Sequence, residues 1–330
     1  MNNIISVIIT CYNIEHYIGK AIESVLSQDY KGIVDIIVID DYSFDSSPDI
    51  IKSYPQIRYL RNPSNIGVLL STVKGLRHCK GDIVFFLDGD DTWRSDKLSI
   101  CIDAFNNDIF LGFLTHDLSY IDKFGNHINK ISQSSKFFLG RSNYGNLVRQ
   151  GILLHSDYVW LGSAYSIRKS LIDTDAFCAF SESLPDPFNT YQDWPLAYWA
   201  ACKYDINMNY IPEKLFYYRL HGSNYSGDAS NVKKAIRNIT RSYNTMIAID
   251  NISYLSSYNK KGLRITRQKS LFQEYLINLY SGNRFISLIK FINIQKYLMS
   301  NINIIGKEWI RFIGIMIVGP KYFLKLTKKI

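Results

Sequence analysis

Three carboxylates stand within four residues at Asp88-Gly89-Asp90-Asp91, directly after the apolar run Ile83-Val84-Phe85-Phe86-Leu87. Carboxylates that close repel one another, and each is pushed toward its protonated form. A divalent cation, Mn2+ or Mg2+, relieves the conflict, because hard cations take oxygen ligands. A cation at the carboxyl end of a strand is well placed to hold a diphosphate, since open α/β sheets bind ligands beyond those ends. The simpler reading is an acidic turn that caps the next helix through Asp91 or Ser95. Three other positions carry groups able to do chemistry. Asp40-Asp41 closes the run Val34-Asp35-Ile36-Ile37-Val38-Ile39, Asp193 opens an apolar helix within Gln192-Asp193-Trp194, and His221 ends Phe216-Tyr217-Tyr218-Arg219-Leu220. Each has a structural reading as well: a cap for Asp40 and Asp193, a satisfied internal histidine for His221.

The elements that must position these groups alternate. Continuous apolar, β-branched runs at 4–10, 33–39, 57–60 and 83–87 read as buried strands. Between them, apolar residues recur at helical spacing over 15–28, 48–53 and 68–78. β-α-β-α-β-α-β with short connections predicts an α/β fold, a mainly parallel sheet with helices on both faces. In a parallel sheet the loops at Thr10-Cys11-Tyr12, Asp40-Asp41 and Asp88 to Asp91 share one edge, so these carboxylates converge on one crevice. Beyond Asp91 the spacing predicts a helix over 97–105, strands over 110–115, 159–167 and 216–221, loops with a short helix over 122–150, loop over 171–190, and a helix opening at Asp193. Neither GxGxxG nor GxxxxGK[ST] is present, which argues against a Rossmann dinucleotide site and a P-loop.

The 330 residues suffice for one large α/β domain with an appendage. Five scattered cysteines without a CxxC pair point to reduced thiols and a cytoplasmic setting, and Met1-Asn2-Asn3 has no basic leader. Charge is unevenly distributed. Residues 229–330 hold 18 Lys and Arg against 3 Asp and Glu, a net of +15 within a chain whose total is +9. The change sets a boundary at 228: residues 1–228 form the α/β domain and 229–330 a basic helical region. Its apolar interleaving, as in Trp309-Ile310-Arg311-Phe312-Ile313-Gly314-Ile315-Met316-Ile317-Val318, falls short of the ~20 residues of a membrane span. A peripheral position on the inner face of the cytoplasmic membrane, or packing as a helical domain, accounts for it. No recognised module supports nucleic-acid binding.

Four pieces in order carry a resemblance: Ser6-Val7-Ile8-Ile9-Thr10-Cys11-Tyr12-Asn13 with Ser24-Val25-Leu26-Ser27-Gln28, then Val38-Ile39-Asp40-Asp41-Tyr42-Ser43, Asp88-Gly89-Asp90-Asp91-Thr92-Trp93, and Gln192-Asp193-Trp194. A fifth is Tyr218-Arg219-Leu220-His221-Gly222-Ser223-Asn224. Together they resemble the family 2 (GT-A fold) inverting glycosyltransferases of bacterial surface-polysaccharide type, over about residues 4–226. The resemblance implies a nucleotide diphosphate sugar donor, commonly a UDP-sugar, and a glycan or lipid-linked acceptor. It implies that Thr10 and Tyr12 line the nucleotide pocket and that Asp40 accepts a hydrogen bond from the base. It further implies that Asp88 and Asp90 orient the ribose and hold the metal, that His221 completes the metal or phosphate contact, and that Asp193 is the general base. Two departures stand out: Gln192 replaces a common Glu, and Ser71-Thr72-Val73 lacks the usual arginine, leaving Lys74 or Arg77 as stand-ins.

For such a transfer the acceptor hydroxyl needs one base, worth about 10²–10⁴-fold, and a helix N-terminus favours an ionised Asp193. A nucleotidyltransferase would also want paired carboxylates, but with a Gly-rich basic loop that Cys11-Tyr12-Asn13 is not. A catalytically silent sugar-nucleotide-binding or scaffold protein is the rival from another class.

Overall fold

The β-branched runs become the centre of a sheet. In the computed structural model, which describes residues 4–155, 162–221, 231–256, 260–298, 302–321 and 323, β1 (Ile5–Cys11), β2 (Val34–Asp40), β3 (Arg58–Arg61) and β4 (Ile83–Asp88) are parallel neighbours. The helices α1 (Ile18–Leu26), α2 (Ser47–Lys52) and α3 (Val68–His78) connect them. Val7, Ile9, Val38, Ile39, Val84 and Phe85 are sealed from solvent, as strands covered on both faces require. Register then aligns the chemistry. Thr10 lies opposite both Ile39 and Asp88, and Cys11 opposite Asp40, so three strands deliver their last residues to one level.

The chain continues through β5 (Thr92–Trp93), α4 (Lys97–Asn107), β6 (Leu111–Asp122), β7 (His127–Ile128), α5 (Gln133–Phe138) and α6 (Tyr144–Leu153). A 3-10 turn at Gly162–Ala164 leads to β8 (Ser166–Arg168), α7 (Lys169–Ile172), α8 (Thr174–Glu182), α9 (Asp193–Ala201) and β9 (Asn207–Leu220). The sheet runs β3-β2-β1-β4-β8-β6-β9-β5, with β7 paired to β6. Its first half is parallel. In the second half β8 runs antiparallel to β4 and β6, while β9 runs parallel to β6.

Four expectations shift here. β6 runs to Asp122 and β9 starts at Asn207, both longer than their apolar signatures. The cause in β6 is Thr115-His116-Asp117, polar yet buried within the strand. His116 Nδ1 meets the Asp117 carbonyl at 2.8 Å, and the Asp117 carboxylate accepts from Ser132 and Ser135, so burial leaves most of these groups bonded, His116 Nε2 being the exception. The loop reading of 171–190 gives way to α8, which opens with Asp173 accepting from the Ala176 amide at 3.2 Å. Of the strand expected at 159–167, only Ser166 and Ile167 fall in β8, and 156–161 lie outside the described residues.

By its contacts the chain divides into two compact units, Met1–His221 and Gly222–Ile330. The boundary expected at 228, and Gly222-Ser223-Asn224, lie outside the described residues. The second unit holds α10 (Val232–Ser256), α11 (Lys260–Tyr280), α12 (Arg284–Leu298) and α13 (Ile302–Val318). Its core gathers Tyr275, Leu279, Phe291, Ile294, Phe312 and Ile315, with Phe291 and Phe312 stacked at 4.4 Å. No helix among the described residues is long and apolar enough to cross a membrane.

Candidate active site

The loop after β4 is held by groups from three distant segments. Ser163 is the pivot: its Oγ accepts the Asp88 amide at 3.1 Å and donates to Asp91 Oδ2 at 2.8 Å. The Arg219 amide donates to Asp91 Oδ1 at 2.9 Å, and the Arg219 guanidinium to the Asp90 carbonyl at 2.8 Å. Asp91 is thus the buried brace of the loop, 1% exposed. Burial, with Asp90 and Asp88 beside it, raises its carboxyl well above the usual range. Lys97 stands behind this turn, fully buried, donating to the Ser163 carbonyl at 2.7 Å and lying 4.0 Å from the centre of the Trp93 ring. Burial lowers its pKa to about 7.

Asp88 and Asp90 are left half-buried at the mouth of the crevice. Asp88 Oδ1 accepts from Gln192 Nε2 at 2.7 Å and from Thr10 Oγ1 at 3.4 Å. Burial first, then the charges of Asp90 and Asp193, pushes Asp88 up to about 7. Asp90 Oδ2 meets His221 Nε2 at 3.0 Å, and the His221 ring lies 4.7 Å from that of Tyr17. His221 is the residue directly after β9, so the same strand that braces Asp91 through Arg219 brings the imidazole to Asp90.

Asp193 reaches the crevice as the first residue of α9. Its Oδ1 accepts from the Trp194 amide at 3.0 Å. The helix start favours its ionised form, but burial outweighs this and raises its carboxyl to about 6, still below neutral pH. Gly162 explains how two elements share this space. A Cβ there would sit 3.3 Å from Gln192 Nε2, 3.6 Å from Asp193 Cβ and 3.9 Å from Asp88 Oδ2. Gln192, the departure from the common Glu, works as a two-ended linker: its amide nitrogen serves Asp88 while its oxygen accepts from Thr72 Oγ1. A carboxylate would have no proton to offer Asp88.

The rest of the expected set divides. Thr10 is in the site. Tyr12 follows Cys11 at the same sheet edge, half-buried. Asp40, expected to accept from a base, is fully buried and its oxygens are committed: Oδ1 takes the Ser43 amide at 2.9 Å, Oδ2 the Tyr59 hydroxyl at 2.8 Å, with Arg61 at 3.5 Å. Here it braces the Asp41–Ser43 turn. Asp41 is likewise occupied, by Asn62 and the Ile66 and Gly67 amides. Lys74 donates to the Arg61 carbonyl and Asn62, and Arg77 pairs with Glu182, so both stand-ins for the missing arginine are engaged with protein partners. Ser163 carries no local sequence signal, and Arg219 is marked only by its place in the piece that ends at Asn224. Lys97 did carry one, a cation at a helix N-terminus against the dipole.

Sequence comparison now bears on this geometry. A profile described as Glycosyl transferase family 2 matches residues 6–163. Over those residues the chain is similar to this family. It is 28% identical over 232 residues to an uncharacterized glycosyltransferase of Nostoc sp., covering 67% of this chain and 66% of that protein. It is 38% identical over 101 residues to the UDP-Glc:alpha-D-GlcNAc-diphosphoundecaprenol beta-1,3-glucosyltransferase WfaP of Escherichia coli, covering 29% and 39%. The chain thus spans less than two thirds of the length of either of these two relatives. Its fold is similar to that of S. aureus TarS 1-349 in complex with UDP-GlcNAc, at TM-score 0.55 and 15% identity over 90% of this chain and 91% of the other. A mannosyltransferase from Pyrobaculum calidifontis in complex with GDP-Man and Mn2+ gives 0.52 at 14% identity, over 88% and 84%. The fold is accordingly the α/β, GT-A one.

Proposed function

We propose that this chain is an inverting glycosyltransferase of family 2 that moves a sugar from a nucleotide diphosphate donor, a UDP-sugar, to a hydroxyl of a glycan or lipid-linked acceptor on the cytoplasmic side. The observation that carries the reading is the meeting of Asp193 with Asp88 across Gly162, beside the Asp90–His221 pair. Asp193, raised to about 6, is ionised at neutral pH yet basic enough to take the proton of an acceptor hydroxyl. With one base and direct displacement, the anomeric centre inverts.

The donor set suits a divalent cation. Asp90 Oδ2 and His221 Nε2 converge, and Asp88 and Asp91, raised by burial first and then by the neighbouring carboxylates, stand in the same loop, where a cation would favour their ionised forms. Among the described residues no three such groups form a complete set, so Asp90 and His221 would hold the ion together with the donor's own diphosphate. Bound there, the ion would neutralise charge building on the leaving diphosphate. The protein's part is to orient the donor between Thr10 and Asp88 and to hold Asp193 toward the acceptor. Relatives support the setting: WfaP is named for a UDP-Glc donor and a diphosphoundecaprenol acceptor, TarS 1-349 for UDP-GlcNAc.

Calorimetric titration with UDP, GDP, dTDP and CDP, each with and without Mn2+, tests the reading. Metal-dependent binding of UDP, lost in Asp90→Ala and kept in Asp193→Asn while turnover falls, is the expected result. A folded protein that binds none of the four is a scaffold instead.

A further inference from the structure

We propose that α12 and α13 form a docking face for an anionic lipid surface. Each helix carries two apolar stripes. One faces the core of the helical unit through Phe291 and Ile294 on α12 and Phe312 and Ile315 on α13, all at most 6% exposed. The other points to solvent. Phe285, Ile292, Ile310 and Ile317 are 76%, 61%, 69% and 74% exposed, with Ile313 and Trp309 at 47% and 43%. A helix of a water-soluble surface keeps that outer stripe polar; one that is apolar all round is covered by something. Spanning a bilayer is not the answer, since neither helix is long enough and apolar enough. Lying in the interface plane is, and Trp309, packed edge-on against Phe291 at 4.7 Å and still part-exposed, has the half-buried aromatic geometry that interfaces favour.

Charge selects the occupant. The stretch 229–330 has only three acidic residues, and each is already taken: Asp250 by Arg267 at 3.2 Å, Glu274 by Lys290 at 2.9 Å, Glu308 by Arg311 at 2.7 Å. The net +15 of the stretch is therefore not neutralised from within it. A second copy of the same surface would bring the same excess to the contact and be repelled. Anionic headgroups are attracted, and the attraction adds to apolar insertion.

The test is flotation of the full-length chain with vesicles of phosphatidylcholine alone or with phosphatidylglycerol. No donor is present, so the outcome is independent of the glycosyl-transfer reading. Expected is binding to the anionic vesicles at least tenfold above the neutral ones, weakened by 0.5 M salt as screening requires (Debye length ~3 Å near 1 M). The doubly substituted Phe285→Glu/Ile310→Glu chain, with unchanged circular dichroism, should lose tenfold or more. If the wild-type chain fails to float with anionic vesicles, or binds both compositions equally and regardless of salt, the proposal falls whatever the variant does. It falls too if the wild type is a dimer by light scattering that the double substitution splits without changing flotation.

Discussion

Ser163→Ala removes one hydroxyl that joins two segments of the site. That hydroxyl accepts the Asp88 amide at 3.1 Å and donates to Asp91 Oδ2 at 2.8 Å, in a residue 2% exposed. Losing the first bond strands a buried N–H, at about 1–3 kcal/mol; losing the second removes a bond to a carboxyl group, at about 1.5–3 kcal/mol if it is charged. Asp91 keeps the Arg219 amide, and the alanine methyl remains buried, so the net expected cost is about 2–4 kcal/mol. That is a large part of the ~5–15 kcal/mol that holds a domain together. Urea unfolding followed by tryptophan fluorescence measures it. Metal-dependent nucleotide binding should weaken about 10–100-fold, as when groups that orient a metal ligand are removed. Ser166→Ala is the matched control, since Ser166 is equally buried and its Oγ has no protein partner. Removing that hydroxyl should cost less than about 0.5 kcal/mol. If Ser163→Ala and Ser166→Ala unfold at the same urea concentration, the claim that Ser163 braces the carboxylate loop is wrong.

Three further outcomes follow from the same geometry. With Asp193 raised to about 6 by burial, its basic form is lost as pH falls, so kcat/KM should drop about tenfold per unit below pH 6; an acid limb that persists in Asp193→Asn would assign it elsewhere. Gln192→Glu takes away the amide donated to Asp88 at 2.7 Å and adds a like charge, so metal-dependent nucleotide binding at pH 7 should weaken about tenfold and recover at higher pH, a pH-independent affinity being the contrary result. Gly67→Ala puts a Cβ 2.6 Å from the Phe188 carbonyl oxygen at φ +87°, and should lower stability by about 1–3 kcal/mol in a thermal melt.

The first seven elements were legible because their signals are local: β-branched runs for β1, β2 and β4, and helical spacing in α1 and α3, whose expected limits of 68–78 match Val68–His78. What was hidden depended on distant partners. Polar His116 and Asp117 look wrong for a buried strand until Ser132 and Ser135 bond to Asp117. That Asp88, Asp90, Asp193 and His221 come together could be expected from their order along the chain. The partners of Asp40 could not, because Tyr59 and Arg61, which hold its carboxylate, sit on another strand. Ser163 is an ordinary serine in the sequence; only the fold puts it between Asp88 and Asp91.

The long parallel pairing of β6 with β9 has a consequence for how the site comes into being. Arg219 reaches Asp91 across 128 residues of chain, and His221 reaches Asp90 across 131. Contacts of such separation form late and slowly, because the loop entropy is lost before they contribute. On a ribosome adding about 5–20 residues per second, the carboxylate loop would wait roughly 7–26 s for its last partners. During that interval the acidic turn has Ser163 to brace it but neither Arg219 nor His221, and these last two supports arrive together, when β9 docks.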